Sequence, residues 1–312
     1  MLAVRLRSGW VLPVLAVLAT VTSGFSQSRL VAGTSLRSIT IESEPDAAVW
    51  VDGVRYGKTS KAGSLEIKTL APGSHALRLR ADGFKEKTQP LTAVQTGSIK
   101  IPLVKTTDEA ELAFQEAERL AGADRDKAVA AYQKAIKLRP TYVEAYLGLA
   151  RTQLDAGNFE DAQKAIAAIR RLRPGLAEAS AIQGRIYKEN GDEAKAIAAF
   201  KRAITEGKGF QPEAYAGLGL LYKEKAEGSS GDFQAENDNY DESAKYLKTT
   251  IKQLAGAPDS IVIYQLLGLI YERQHKAKDA IAVYEEFLRL FPNSVEATAV
   301  QSFIVQLKKD NP

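Results

Sequence analysis

The sequence predicts a multidomain chain, a small all-β sandwich followed by an all-α solenoid of stacked helical hairpins. Three observations carry this. Apolar residues alternate with period two between residues 37 and 105, short glycine turns separate the alternating runs, and a self-similar spacing near 34 residues takes over beyond residue 108. Gly157-Asn158-Phe159-Glu160-Asp161-Ala162 is echoed 34 residues later by Gly191-Asp192 and Ala196. Ala128, Tyr132, Ala135 and Pro140 keep the internal spacing of Ala280, Tyr284, Phe287 and Pro292. Repeats of this length read as helical hairpins that cannot bury an apolar face alone and must stack.

The first element stands apart from both units. Met1 to Gly9 carries Arg5 and Arg7 and no acid, Trp10 to Val21 is an almost unbroken apolar run, and Ser23, Gly24 and Ser26 are small. This is the layout of a secretory signal over residues 1–26, cut after Ser26 or Gly24. The apolar run is about 12 residues, short of the roughly 20 that a spanning helix needs, and Pro13 interrupts it. An uncleaved membrane anchor is the alternative. In either case the rest of the chain is expected in the periplasm or outside the cell, with membrane contact only through this segment.

Composition narrows the chemistry. At 312 residues about two domains are expected. The formal charge is only +4, of which Arg5 and Arg7 contribute two, and no run of Lys/Arg tracks a phosphate backbone, so no nucleic-acid partner is expected. Cysteine is absent, which excludes disulfides, thiolate metal sites, cysteine nucleophiles and a lipid-modified cysteine.

In the β unit, residues 37–105, Ser38-Ile39-Thr40-Ile41, Ala76-Leu77-Arg78-Leu79-Arg80 and Ser98-Ile99-Lys100-Ile101 each read as a strand with one buried face. Asp52-Gly53, Pro72-Gly73 and Asp82-Gly83 supply turns. Five or more short strands without a helix suggest an antiparallel sandwich. The run Pro45-Asp46-Ala47-Ala48-Val49-Trp50-Val51-Asp52-Gly53, then Gly57-Lys58-Thr59, Leu70-Ala71-Pro72-Gly73 and Ala81-Asp82-Gly83-Phe84, resembles a PEGA domain. It departs from the naming Pro-Glu-Gly-Ala motif at the second and third places, and has Thr59-Ser60 where that family usually has Thr-Pro. The resemblance implies an envelope or surface-layer setting and no catalytic residues. Trp50, on a strand that must fill a small core, is expected to be buried, the alternative being a sugar-stacking ring. His75, with no second histidine nearby, is expected to be structural.

The α unit is expected over residues 108–312. Asp108 with Glu111 forms a capping box directly after Thr106-Thr107, so the two units are expected in a restricted orientation. Five hairpins follow, at 109–142, 143–176, 177–210, 212–257 and 261–294, with a capping helix over 295–309. Tyr146, Leu149, Ala150, Ala162 and Pro174 mark the second, Gly184, Tyr187, Ala196 and Phe200 the third, and Tyr264, Leu267, Gly268, Tyr271, Ala280, Tyr284 and Pro292 the fifth. This pattern resembles the tetratricopeptide repeat family, which implies a right-handed superhelix whose concave face takes partner segments. About 12 extra residues near Ala226–Asn237 are expected as a loop inside the fourth hairpin. The tyrosines fall on packing positions and are read as core rather than as a ligand ladder.

One helical step from the packing residues lie Leu147, Arg151, Arg185, Lys188, Leu220, Lys223 and Leu269, the candidate partner-binding set. Arg151 and Arg185 are one repeat apart, and guanidinium groups on a scaffold suit carboxylates. The competing reading pairs these charges with Glu144, Asp155 and Glu189 as solvated surface. His75 and His275 lack metal-ligand spacing and there is no glycine-rich phosphate loop. No enzyme, catalytic residue, cofactor or metal is therefore expected. The reading is a non-catalytic interaction scaffold of the bacterial cell envelope that binds protein or peptide segments. The alternative is a module that binds cell-wall or surface polysaccharide through the β unit.

Overall fold

The computed structural model describes residues 36–229 and 231–311. The expected signal segment lies outside them.

Seven strands form two sheets. β1 (Arg37–Glu42), β4 (Ser64–Leu70) and β7 (Gly97–Lys100) are ordered β4-β1-β7, while β2 (Ala48–Val51), β3 (Val54–Lys58), β5 (His75–Arg80) and β6 (Lys87–Leu91) are ordered β3-β2-β5-β6. The alternation read from the sequence works as expected for one face. Ile39, Ile41, Val49, Val51, Leu77 and Leu79 all point inward and are buried. Asp52 and Gly53 both take positive φ, 50° and 83°, which the tight β2–β3 hairpin requires.

Two expectations change here. β7 runs parallel to β1, so the sandwich is not purely antiparallel. The chain reaches β7 by crossing from β6 in one sheet to the other sheet, and no hairpin dictates its direction. Trp50 is only half-buried, because Val49 and Val51 take the core and strand parity turns Trp50 to the outer face.

Eleven described helices follow: α1 (Glu109–Leu120), α2 (Arg125–Leu138), α3 (Val143–Asp155), α4 (Phe159–Leu172), α5 (Ala177–Glu189), α6 (Glu193–Glu206), α7 (Pro212–Gly228), α8 (Phe233–Leu254), α9 (Ser260–Arg273), α10 (Ala277–Leu290) and α11 (Ala297–Asp310). Asp108 caps α1 by accepting from the amides of Ala110 and Glu111. The reciprocal half of the box is absent, since Glu111 instead accepts from Tyr142 Oη and Gln115 Nε2. Small residues allow close crossing both between neighbouring hairpins, as at Gly148, and within one, as at Gly268. A Cβ at Gly148 or Gly268 would overlap the ring of Tyr132 or Tyr284. The hydroxyls of those tyrosines reach carboxylates on the preceding helix, Glu118 at 2.5 Å and Glu272 at 2.5 Å.

Most of the residues expected as a loop in the fourth hairpin, 226–228 and 233–237, are helical instead. α7 runs to Gly228 and α8 has 22 residues, about 33 Å of helix. Continuing two packed helices satisfies the backbone of the added residues internally, which a loop would not. Phe233 stands exposed at the start of α8. Gln274 and Lys276 tie the middle of α8 to the α9–α10 turn by bonding Asp241 at 2.9 and 2.5 Å.

The β-sandwich packs on the solenoid at two separate places. At the first repeat, buried Gln115 accepts from Gly83 N at 2.7 Å and donates to Phe84 O at 2.8 Å, and the Arg80 guanidinium lies 4.6 Å over the Phe114 ring. At the α8–α9 turn, Tyr56 Oη donates to Ala255 O at 2.9 Å and Thr69 Oγ1 to Gly256 O at 3.0 Å. The buried residues of the sandwich and those of the last two repeats form one hydrophobic cluster.

Candidate functional site

The first helices of the hairpins, α3, α5, α7 and α9, present a row of side chains one step from the packing residues. Arg151 and Arg185 occupy equivalent steps on α3 and α5, and Leu220 and Leu269 occupy the same step on α7 and α9. The row is therefore divided, basic toward the second and third repeats and apolar toward the fourth and fifth.

The basic half is paired internally. Arg151 donates to Glu213 Oε2 at 2.9 Å, spanning from the second repeat to the fourth. Arg185 bonds Asp155 at 2.8 Å and lies 3.7 Å from the same Glu213. Burial around the Arg151 guanidinium favours its neutral form, but Glu213, with Glu178 and Glu118, opposes this, and its pKa is raised. Lys188 is mostly buried and bonds Glu224 at 2.7 Å, while Lys223 bonds Glu227 at 2.7 Å on its own helix. Of the pairing partners weighed from the sequence, Asp155 is realised for Arg185, and Glu189 lies 3.5 Å from Lys188. Glu144 faces Arg173 at 3.8 Å instead.

The apolar half is open. Leu220 is 38% exposed and Leu269 43% exposed, with Val262 at 60% near the start of α9. Leu147 differs from them. It is 9% exposed, locked in the core of the second repeat with Ala150 and Ile166, and is removed from the candidate surface. Its cluster also includes Ala179, Ile182 and Ile186 of α5, in the next hairpin.

Glu213 is the residue that sequence reasoning missed. The signal was present: Glu144, Glu178 and Glu213 recur at 34 and 35 residues, each second in its helix. Tyr187, placed among the packing tyrosines, is only part-buried at the margin of the third repeat's core, with Lys195 Nζ 5.7 Å from its ring.

On the β-sandwich, Trp50 lies under the Arg78 guanidinium at 4.3 Å and near Arg80 at 5.6 Å. His75 is buried between two acceptors, Asp52 at 2.6 Å from Nδ1 and Ala71 O at 2.9 Å from Nε2. In the protonated form both ring nitrogens donate, and the Asp52 hydrogen bond raises the pKa against the opposing effect of burial. Among the described residues no three His, Cys, Asp or Glu side chains group as a metal site, and no helix is long and apolar enough to cross a membrane.

Residues 36–107 match the PEGA domain, and residues 119–186, 177–206 and 264–294 match models described as tetratricopeptide repeat. No curated protein matches the chain in sequence. Among solved structures, MamA protein is 25% identical, with 62% of this chain and 96% of that chain covered and a TM-score of 0.42. TTC0263, a thermophilic TPR protein of Thermus thermophilus, is 19% identical over 63% of this chain and 99% of that one, with a TM-score of 0.47. Yeast Tom70 is 18% identical over 65% of this chain and 41% of that one, with a TM-score of 0.52. Repeats of this type are typically non-catalytic and build protein-interaction scaffolds, and PEGA domains are typical of extracellular and periplasmic proteins. With two sheets over residues 37–100 and eleven described helices after them, the chain carries an N-terminal PEGA domain followed by a tetratricopeptide-repeat solenoid.

Proposed function

We propose that this protein is an interaction scaffold of the cell envelope that holds a segment of another protein against the concave face of its repeats. The observation that carries this reading is the pair of exposed leucines, Leu220 and Leu269, at the equivalent step of two successive repeats, in a row that is otherwise charged. Apolar contact at Leu220, Leu269 and Val262 supplies affinity. Arg151, Arg185, Lys188 and Lys223 set register and a preference for acidic groups. Because Arg151 and Arg185 already share Glu213, an incoming carboxylate must compete with an internal one, and the basic half contributes selectivity more than strength.

The polysaccharide reading rests on Trp50, which is half-exposed with polar neighbours. The Arg78 guanidinium lies over that ring, where a sugar would stack. This favours the protein-binding reading.

The test compares the full chain with Leu220→Glu/Leu269→Glu and with Arg151→Ala/Arg185→Ala. A photo-crosslinker at residue 216 is used to capture envelope proteins. Loss of one specific crosslink in both variants, with helicity intact, supports the groove. A crosslink that survives both variants places the partner elsewhere.

A further inference from the structure

The solenoid is held from outside as well as from within. Gly83 and Phe84 lead into β6, at one edge of the four-stranded sheet, while Tyr56 is on β3, at the opposite edge. Three strand spacings, roughly 14 Å, separate those edges. One edge is clasped by Gln115 of the first repeat; the other is bonded through Tyr56 to the α8–α9 turn between the fourth and fifth repeats, which also accepts from Thr69 on β4 of the three-stranded sheet. A sandwich with a packed core is much stiffer than a stack of hairpins in which each touches mainly its neighbours.

The two ends are built differently. The Gln115 end sits next to the covalent connection through Thr106-Thr107. The far end depends on backbone shape. Ala255 and Gly256 both take positive φ, 49° and 78°, and this turns two consecutive carbonyls toward the hydroxyls of Tyr56 and Thr69. A Cβ on Gly256 would stand 2.8 Å from Thr69 Cβ, so the close approach requires glycine there. A non-glycine residue in the left-handed region is uncommon, and Ala255 is held in it where its carbonyl meets Tyr56.

We propose that the β-sandwich is a brace that sets the curvature of the repeat superhelix, with the Ala255–Gly256 turn as its latch. Tight curvature is what lets Arg151 reach past a whole repeat to Glu213. The latch and that ion pair therefore stabilise the same closed form, one from the side and one from the groove. Release of the latch relaxes the arch and separates the second repeat from the fourth. This inference goes beyond the proposed groove binding and does not depend on any partner.

The chain has no cysteine, so spin labels at Lys137→Cys on α2 and Lys252→Cys on α8 report the distance between the first and fourth repeats in the full chain. The labelled chain is expected to give one narrow distribution. Adding Tyr56→Phe and Thr69→Val removes both hydroxyls at nearly constant volume. The distribution should then broaden and move to longer distance, and exchange of the α8–α9 turn amides should rise by roughly five-fold for each hydroxyl lost. An unchanged distribution overturns the brace. If the variant does not fold, hydrogen exchange of the unaltered chain decides. Amides at Ala257 and Ser260 protected as well as those of β3 and β4 uphold the latch, and exchange as fast as in the α5–α6 turn overturns it.

Discussion

Arg151 on α3 and Glu213 on α7 meet at 2.9 Å although 62 residues and the whole third repeat separate them in sequence. Arg185 joins from α5, and one carboxylate then serves two guanidinium groups. The arrangement measures curvature, because a straighter stack would part the pair.

Replacing Glu213 by Gln frees both arginines of their shared partner. We expect a loss of about 0.5 to 1 kcal/mol of stability, since these side chains are more than one-third exposed on the arginine side. The same change should strengthen capture of acidic peptides, most clearly at low salt. Titration calorimetry with an acidic peptide against wild type and Glu213→Gln checks this, and weaker binding by the variant would contradict it.

Stability should fall as pH rises through the titration of His75. The bond to Asp52 raises its folded pKa above the unfolded value of about 6.5. The folded state thus holds the proton more tightly. That contribution is complete below about pH 6.5 and disappears as pH rises through the higher folded value. Urea unfolding across this range should show the decline, and Asp52→Asn should flatten it while costing about 1 to 2 kcal/mol at low pH. A profile that is unchanged in the variant would assign the pH dependence to other groups.

Gly268→Ala raises intrinsic helix propensity yet should destabilise the chain by about 1 to 3 kcal/mol, because the added methyl enters the Tyr284 ring. Tyr264→Ala, at 2% exposure, should cost about 3 to 5 kcal/mol. Tyr187→Ala should cost clearly less, its ring being part-buried at a margin. Thermal melts of the three variants order them, and equal losses would contradict this packing assignment.

A fragment from Asp108 to Pro312 should remain helical by circular dichroism, since the repeats pack mainly on one another. Its melting temperature should be lower than that of the full chain, because the buried cluster of the last two repeats loses the sandwich residues that belong to it. An unfolded fragment would mean that the two units fold as one.

Much of this architecture is legible in the residue pattern. Period two at Ile39 and Ile41, the 34-residue echo of Gly157 in Gly191, and small residues opposite rings, as at Gly268 and Tyr284, are local or nearly local signals. They report which side of an element is buried and where a hairpin turns. The candidate site was less legible. Leu147 has the same composition signal as Leu220, yet one is core and the other is surface. Glu213 had a recurrence that could have marked it, whereas the meeting of Tyr56 with Ala255 had none.

The sequence by itself determined two units, their order, the hairpin repeat and many of the residues that pack in the repeats, because all of these follow from periodicity and turn chemistry over a few tens of residues. Only the tertiary structure decided that Trp50 faces outward, that the added residues of the fourth hairpin lengthen its helices, that Arg151 finds Glu213, and that the sandwich spans to the α8–α9 turn. Those outcomes depend on small rotations summed over several repeats and on competition for a shared core. Neither quantity is written in any single stretch of the chain.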